Sequence, residues 1–211
     1  MAHKEYGKMS KILFFGDSIT AGNKSKIAPL GEGYVSVLSD MFKADTKYEK
    51  LKVINSGVNG HTVQDLLARY KEDVIAHAPD HVVIKIGIND AYNSYMHGKK
   101  PAHLGRYVMD YDKLLTRLRI ELPGSKLRLL TPYFICRSTD NDFYQLMSLY
   151  IYCVEALGKK HMVEVLNIQE VFDKAVQFIP STSLAPDRIH PEREGHELMA
   201  GYIYEFLEER F

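Results

Sequence analysis

The sequence predicts a three-layer α/β/α fold, in which a five-stranded parallel sheet lies between two layers of helices. Three observations carry this prediction. Five short apolar runs occur along the chain, longer segments with helical spacing separate them, and turn-forming residues follow the runs. Strands that alternate with helices form a parallel sheet with helices on both faces. The 211 residues suffice for one domain with a complete core, and no linker or repeat divides them.

The five predicted strands are rich in Val, Ile, Leu and Phe, and they lie at residues 11–15, 52–55, 81–86, 126–131 and 162–167. Helical spacing of apolar residues predicts five helices, near residues 34–42, 66–75, 104–118, 143–158 and 192–211. Two segments, 93–101 and 137–142, are interpreted as surface insertions. The single domain spans residues 1–211, and its polar residues 1–10 are expected to form a flexible N-terminal extension.

Composition argues against several classes of protein. Lys and Arg total 27 and Asp and Glu total 27, so the chain has no general field that would attract nucleic acid or an anionic membrane. No apolar run is long enough to span a bilayer, and residues 1–10 do not resemble a signal peptide. Two cysteines do not make a disulfide framework. We therefore expect a cytoplasmic protein that binds neither nucleic acid nor membrane.

Residues that can carry serine hydrolase chemistry stand near the two ends of the chain. Ser18 follows the first predicted strand, and Asp187 and His190 precede the last predicted helix. A serine becomes a good nucleophile when an imidazole takes its proton and a carboxylate orients that imidazole. The spacing of three lets Asp187 and His190 share one short turn, and the chain order Ser, Asp, His is one of several that support this chemistry. The sequence therefore predicts a serine esterase.

Three predicted strand ends supply candidates for an oxyanion hole. Ligands bind beyond the carboxyl ends of the strands in an open parallel sheet. Ester attack creates a negative oxygen that needs preorganised donors. The backbone N–H groups of Ser18 and Gly57 and the side-chain amide of Asn89 are the donors that we expect to converge there. Glycine at position 57 permits a close approach because it has no Cβ.

These blocks resemble those of the SGNH, or GDSL-type, hydrolase superfamily along nearly the whole chain. The matching blocks are Gly16-Asp17-Ser18, Gly57, Gly87-x-Asn89-Asp90 and Asp187-x-x-His190-Pro191. The resemblance implies a flavodoxin-like SGNH fold. It also implies that Ser18 is the nucleophile, that His190 is the general base and then acid, and that Asp187 orients the imidazole. Ser18, Gly57 and Asn89 would form the oxyanion hole.

One branch of the superfamily is particularly similar, namely intracellular bacterial acetylesterases that act on acetylated xylo-oligosaccharides. The similarity lies around residues 33–35, 55–73 and 131–133 and in the C-terminal block. Members of that branch can carry an aromatic residue just before the catalytic aspartate, whereas this chain has Pro186 there and no tryptophan. Tyr92, Tyr95 or Tyr133 would then supply the aromatic face for a sugar ring. The candidate substrate-binding residues are Asp17, Tyr92, Tyr133 and Arg188.

Alternative readings stay open from sequence alone. Asp17 and Asp90 also suit structural roles, in helix capping and in holding the Asn89 loop. His196 suits a packing or surface position. No metal-binding spacing of His or Cys and no phosphate-binding glycine motif occurs, so we expect neither a metal nor a cofactor.

The expected partner is a small-molecule acyl ester, and the resemblance favours a homo-oligomer. The rival functions are a lysophospholipase or thioesterase of the same superfamily, a non-catalytic module that binds acylated sugars, and a purely structural partner protein.

Overall fold

Five parallel strands form one sheet in the computed structural model, which describes residues 10–208. The strands are β1 (Lys11–Gly16), β2 (Lys52–Gly57), β3 (His81–Lys85), β4 (Lys126–Leu130) and β5 (Glu164–Leu166). Their order across the sheet is β2-β1-β3-β4-β5, and each of the four pairings is parallel. The predicted parallel sheet and its five strands are confirmed.

Helices connect the strands. They are α1 (Ser18–Ala21), α2 (Tyr34–Ala44), α3 (Val63–Asp73), α4 (Ile88–Met96), α5 (Pro101–Glu121), α6 (Asp142–His161), α7 (Ile168–Ala175), α8 (Ser181–Leu184) and α9 (Arg193–Glu208). Two 3₁₀ turns, Thr46–Tyr48 and Ile75–His77, complete the regular structure of the described residues. The five long predicted helices correspond to α2, α3, α5, α6 and α9.

Adjacent residues of β1 show that helices cover both faces of the sheet. Side chains alternate between the faces along a strand. The ring of Phe14 packs edge-on against Tyr34 of α2, at 5.8 Å between centroids. The neighbouring ring of Phe15 lies under the guanidinium of Arg69 of α3, at 4.5 Å. Both phenylalanines are completely buried, so the sheet is the middle layer of three.

Three local predictions differ from the structure. The expected insertion at 93–101 instead begins with the last residues of α4, and the sequence predicts neither α7 nor α8. All three helices have fewer than ten residues, too few to show apolar periodicity. Strand β5 starts two residues later than predicted because Met162 adopts a left-handed backbone conformation, with φ of 52°, that ends α6.

The chain ends involve residues outside the described range. The expected N-terminal extension falls on residues 1–10, of which residues 1–9 are not described, and the predicted last helix includes residues 209–211, which are not described either. None of the helices in the described part of the chain is both long and apolar enough to cross a membrane.

The strand order creates one position where a site is expected. From β1 the chain passes to β2 on one side, and it then returns to place β3 on the other side of β1. Connections therefore leave the carboxyl ends of β1 and β3 in opposite directions, which opens a crevice between them. Ser18 lies just beyond the end of β1 and Asn89 just beyond the end of β3. The fold thus brings two predicted site residues to the same crevice.

Candidate active site

A tight turn presents Ser18 at the carboxyl end of β1. The strand ends at Gly16, and α1 begins at Ser18 with Asp17 as its N-cap, whose Oδ1 accepts from the backbone N–H of Ile19 at 3.1 Å. A Cβ at position 16 would collide with the carbonyl of Lys85 and the hydroxyl of Thr20. Glycine therefore lets β1 and β3 approach closely where the chain turns into α1.

The three predicted catalytic residues form one hydrogen-bonded line. Ser18 Oγ lies 3.0 Å from His190 Nε2, and His190 Nδ1 lies 2.6 Å from Asp187 Oδ2. The other Asp187 oxygen accepts from the backbone N–H groups of Ile189 at 2.9 Å and His190 at 2.8 Å. A carboxylate only accepts hydrogen bonds, so Nδ1 carries the imidazole proton and Nε2 faces the Ser18 hydroxyl as acceptor.

Hydrogen bonding keeps the Asp187 carboxyl ionised. Its partial burial alone would raise its pKa. The hydrogen bonds from the side chain and backbone of His190 and from the backbone of Ile189 outweigh that effect, so they hold the pKa of Asp187 below its usual range. The carboxylate is therefore charged over the pH range in which an imidazole acts as a base.

The loop that carries Asp187 and His190 is held against the segment after β4. The backbone N–H of Ile135 donates to the carbonyl of Arg188 at 2.9 Å, and Arg188 itself has a left-handed conformation with φ of 67°. The exposed guanidinium of Arg188 lies 6.0 Å from the ring of Phe134. These contacts place His190 opposite Ser18, although 172 residues separate the two in sequence.

Two of the three candidate oxyanion donors, Asn89 and Gly57, have partners in the chain. Asn89 Nδ2 donates to the carbonyl of His61 at 2.8 Å, which occupies one of the two N–H groups of that amide. The Gly57 N–H donates to Asn55 Oδ1 at 2.9 Å. Asn55 is itself buried, and its amide also donates to the carbonyls of Thr20 at 2.7 Å and Leu30 at 2.8 Å.

Gly57 is needed for packing within the chain. A Cβ there would collide with the backbone of Thr20 and Ala21 in α1. The close approach that the sequence predicted at this glycine is therefore made by the helix that carries Ser18. This contact sets the distance between the end of β2 and the nucleophile.

Two of the four candidate substrate-binding residues are not accessible. Asp17 and Tyr133 are each 0% exposed, so a substrate cannot touch their side chains, and their positions correct that expectation. Asp17 faces inward because it caps α1, and Tyr133 packs its ring against Phe172, 4.5 Å away. Tyr92 is 48% exposed on α4, and Arg188 is exposed beside the catalytic pair.

Sequence reasoning missed a buried lysine beneath the nucleophile turn, residues 16–18. Lys85 Nζ lies 3.4 Å from both carboxylate oxygens of Asp17 and 5.0 Å from the centre of the Tyr133 ring. Burial lowers the pKa of Lys85, and the Asp17 carboxylate opposes that shift. A lysine inside an otherwise apolar run, Val82-Val83-Ile84-Lys85-Ile86, was the available signal, because lysine is rarely buried without a partner.

Asp90 and His196 occupy structural positions near the site. Both oxygens of Asp90 lie 3.2 Å from the backbone N–H of Val63, and burial raises the pKa of Asp90 to about 7. His196 Nδ1 accepts from the backbone N–H of Tyr34 at 3.2 Å. Burial, with the charges of His190 and Lys85, lowers the pKa of His196 to about 4. Among residues 10–208, no group of three or more His, Cys, Asp or Glu side chains is arranged to hold a metal ion.

Comparison with known proteins identifies the family. Residues 14–198 match the GDSL-like lipase/acylhydrolase family. The chain belongs to this family. It is 33% identical to an acetylxylan esterase of Geobacillus stearothermophilus, over 92% of each chain. It is also 32% identical to an arylesterase of Vibrio mimicus over 85 residues, which are 40% of each chain. The chain is therefore an esterase of the GDSL family.

Solved structures agree with this assignment. The structure of Axe2, an acetylxylan esterase from Geobacillus stearothermophilus, is similar with a TM-score of 0.85 at 29% identity, and the match covers 99% of this chain and 97% of that one. LAE5, an alpha/beta hydrolase enzyme from the metagenome of Lake Arreo, gives a TM-score of 0.82 at 31% identity, with 93% and 94% coverage. The GDSL family esterase described here thus has the predicted SGNH hydrolase fold.

Proposed function

We propose that this esterase removes short acyl groups, and acetyl groups on sugars or oligosaccharides in particular, through an acyl-enzyme formed on Ser18. The observation that carries the proposal is the unbroken line of hydrogen bonds from Ser18 through His190 to Asp187. In that line a base contacts the hydroxyl and a carboxylate orients the base, which is the arrangement that activates a serine.

The mechanism follows from the direction of these hydrogen bonds. His190 Nε2 accepts the Ser18 proton while Oγ attacks the ester carbonyl, and the Asp187 carboxylate stabilises the imidazolium that forms. The imidazolium then protonates the leaving alcohol, which yields the acyl-enzyme. Water enters, His190 takes one of its protons, and the resulting attack releases the carboxylic acid and restores the Ser18 hydroxyl.

Three donors are proposed to hold the negative oxygen during both attacks. They are the backbone N–H of Ser18, the N–H of Gly57 and the second N–H of the Asn89 amide. The bond from Gly57 to Asn55 Oδ1 requires that this N–H be shared between Asn55 and the oxyanion in a three-centre bond. Asn89 needs no such change, because its bond to His61 leaves the second amide proton to point elsewhere.

Similarity to Axe2 supports both the residues and the substrate. Three solved variants of Axe2 are called catalytic mutants, and they replace a serine, an aspartate and a histidine, the last two being three positions apart. Asp187 and His190 have the same spacing. Axe2 is also described as an acetyl-xylooligosaccharide esterase, and it has a tryptophan directly before that aspartate.

Pro186 occupies the corresponding position in this chain, so the aromatic surface for a sugar ring must come from elsewhere. Tyr92 and Tyr95 lie on α4, the helix that also carries Asn89, and they are 48% and 36% exposed. Both rings pack edge-on against Phe143, which supports them from behind. We propose that Tyr92 stacks on the sugar and that Arg188 hydrogen bonds to its hydroxyl groups.

The test is acetate release from acetylated xylo-oligosaccharides by the wild type and by Ser18→Ala, with nitrophenyl acetate and a long-chain nitrophenyl ester in parallel. Ser18→Ala is expected to lower kcat by a factor of about 10⁴ to 10⁶, because the nucleophile is lost while binding and the oxyanion hole remain. Ser148→Ala, which removes an exposed hydroxyl bonded only to its own helix at Tyr144, is the matched control and should change nothing.

Two outcomes would contradict the proposal. Cleavage of the long-chain ester without release of acetate from sugars would exclude the sugar substrate and favour a lysophospholipase or thioesterase. Turnover that survives in Ser18→Ala would exclude the mechanism itself.

A further inference from the structure

Arg69 makes an unusual set of contacts for a residue on a helix. It lies in α3, its side chain is 14% exposed, and its guanidinium reaches the carboxyl ends of the two strands β1 and β2. Nη2 donates to the carbonyl of Gly16 at 2.9 Å, and Nη1 donates to the carbonyl of Ser56 at 2.9 Å. Nε donates to Nδ1 of His61 at 3.0 Å. One side chain therefore joins three segments.

Each of these segments carries or holds one candidate oxyanion donor. The Gly16 carbonyl lies at the start of the turn that presents the Ser18 N–H. The Ser56 carbonyl and the Gly57 N–H belong to the same peptide unit, so a charged donor on the oxygen polarises that N–H. The His61 carbonyl accepts from Asn89 Nδ2 at 2.8 Å. From this geometry we infer that Arg69 is the positioning residue of the oxyanion hole. The inference rests on the proposed function, because it assigns a support to that proposed hole.

The surroundings of Arg69 hold its guanidinium in one orientation. Asp73, one helical turn later, forms an ion pair with Nη1, and the ring of Phe15 lies 4.5 Å from the guanidinium carbon. The ring restricts the plane of the group, and the carboxylate restricts its rotation within that plane. Arginine has no acceptor, so the bond from Nε also requires His61 Nδ1 to be unprotonated, which selects a single tautomer of that ring.

Only arginine can make this set of contacts. Its planar group offers five N–H donors in a rigid fork, so it reaches two carbonyls and one imidazole at once. A lysine at this position would supply one compact ammonium group, which cannot reach all three acceptors because they are spread around the edge of the larger guanidinium. A glutamine would have at most two donors and no charge.

The experiment compares Arg69→Gln and Arg69→Lys with the wild type, with nitrophenyl acetate as substrate and active sites counted by titration with a serine-directed phosphonate. Arg69→Gln is expected to lower kcat about 100-fold with KM changed less than roughly threefold, because misplaced donors affect the transition state and not the bound ester. The kcat of Arg69→Lys should lie between those of Arg69→Gln and the wild type, because lysine restores the positive charge but not the planar set of N–H donors.

Arg106→Gln is the matched control. Arg106 also pairs with an aspartate one turn later, Asp110 at 2.6 Å, but its side chain is 64% exposed and both partners lie on α5. Its loss should change kcat less than roughly twofold. Thermal unfolding of each variant then shows whether lost activity reflects lost folded protein.

A double-mutant cycle separates positioning from stability. If Arg69 acts through the oxyanion hole, its replacement should lower kcat by a smaller factor in an Asn89→Ala background than in the wild type, because one of the three donors that it supports is already absent. If Arg69 only stabilised the fold, the two substitutions would lower kcat independently, and the double variant would show the product of the two separate factors.

Independent losses in that cycle, or a folded Arg69→Gln with kcat within about threefold of the wild type, would overturn the inference. A wild type whose turnover does not depend on Ser18 would instead overturn the proposed function, so the two failures are distinguishable.

Discussion

Two aspartates lie close to Ser18, and their surroundings differ completely. Asp17 is 0% exposed, caps α1 and pairs with Lys85 at 3.4 Å. The side chain of Asp187 is 53% exposed and hydrogen bonds to the His190 imidazole at 2.6 Å. One carboxylate is enclosed by the protein and the other faces solvent at the mouth of the site. Two aspartates near one serine therefore serve different purposes.

The comparison shows how the fold divides structure from chemistry. A buried ion pair loses the solvation of both charges, so it is sensitive to the removal of either partner. The buried Asp17–Lys85 pair cannot contact a substrate, so its role is to hold the nucleophile turn. A half-exposed pair costs little to form and lies where a proton can move between serine, imidazole and alcohol. Asp17 would therefore govern stability, and Asp187 would govern turnover.

The largest expected effect is on turnover. Asp187→Asn should lower kcat by a factor of about 10³ to 10⁴, because an amide cannot keep the imidazole in the tautomer that accepts the Ser18 proton. The unfolding temperature should change little, since the side chain is half exposed. Steady-state kinetics and thermal unfolding measure the two quantities. A folded Asp17→Asn that shows an equal loss of kcat would break the comparison.

The next effect is on stability. Lys85→Met leaves the Asp17 carboxylate buried without its cation, and it should lower the free energy of unfolding by about 3 to 5 kcal/mol. Denaturation by urea measures this loss. The double variant Asp17→Asn/Lys85→Met should regain most of it, because asparagine still caps a helix and no unpaired charge remains.

The control for this prediction is Lys43→Met, which breaks a surface pair with Asp40 whose side chains are 69% and 73% exposed. It should change stability by less than about 1 kcal/mol. Equal losses in Lys85→Met and Lys43→Met would show that burial does not distinguish the two pairs.

The smallest expected effect is a pH dependence of stability that arises at His196. Its pKa is about 4 in the folded protein and ordinarily 6.5, so between these values only the unfolded chain binds the proton. Stability should therefore fall as pH decreases from 6.5 towards 4. By pH 4.5 this histidine should account for a loss of about 2 kcal/mol.

Urea denaturation at pH 7 and pH 4.5 tests this prediction in the wild type and in His196→Asn, whose Oδ1 can accept the bond from Tyr34. The variant should lose less stability on acidification. Equal losses in the two proteins would assign the pH dependence to other groups.

Local sequence patterns sufficed for the outline of the fold and for candidate residues. Apolar runs and helical spacing predicted five strands and five long helices, because each pattern is complete within one element. The short helices α4, α7 and α8 were missed because helices of nine residues or fewer show too little periodicity. The Ser18, Asp187 and His190 assignments came from short motifs placed at predicted strand ends, and the structure brings these side chains within hydrogen-bond distance.

By itself, the sequence determined the order of the strands along the chain, the fold class and the three residues proposed to react. Tertiary structure alone decided that Asp17 and Tyr133 are buried, that Lys85 lies beneath the nucleophile turn, and that Arg69 reaches two strand ends. The physical reason is that burial and pairing depend on which face of an element meets which neighbour. Lys85 and Asp17 are 68 residues apart and Arg69 and Gly16 are 53 apart, so no local pattern connects them.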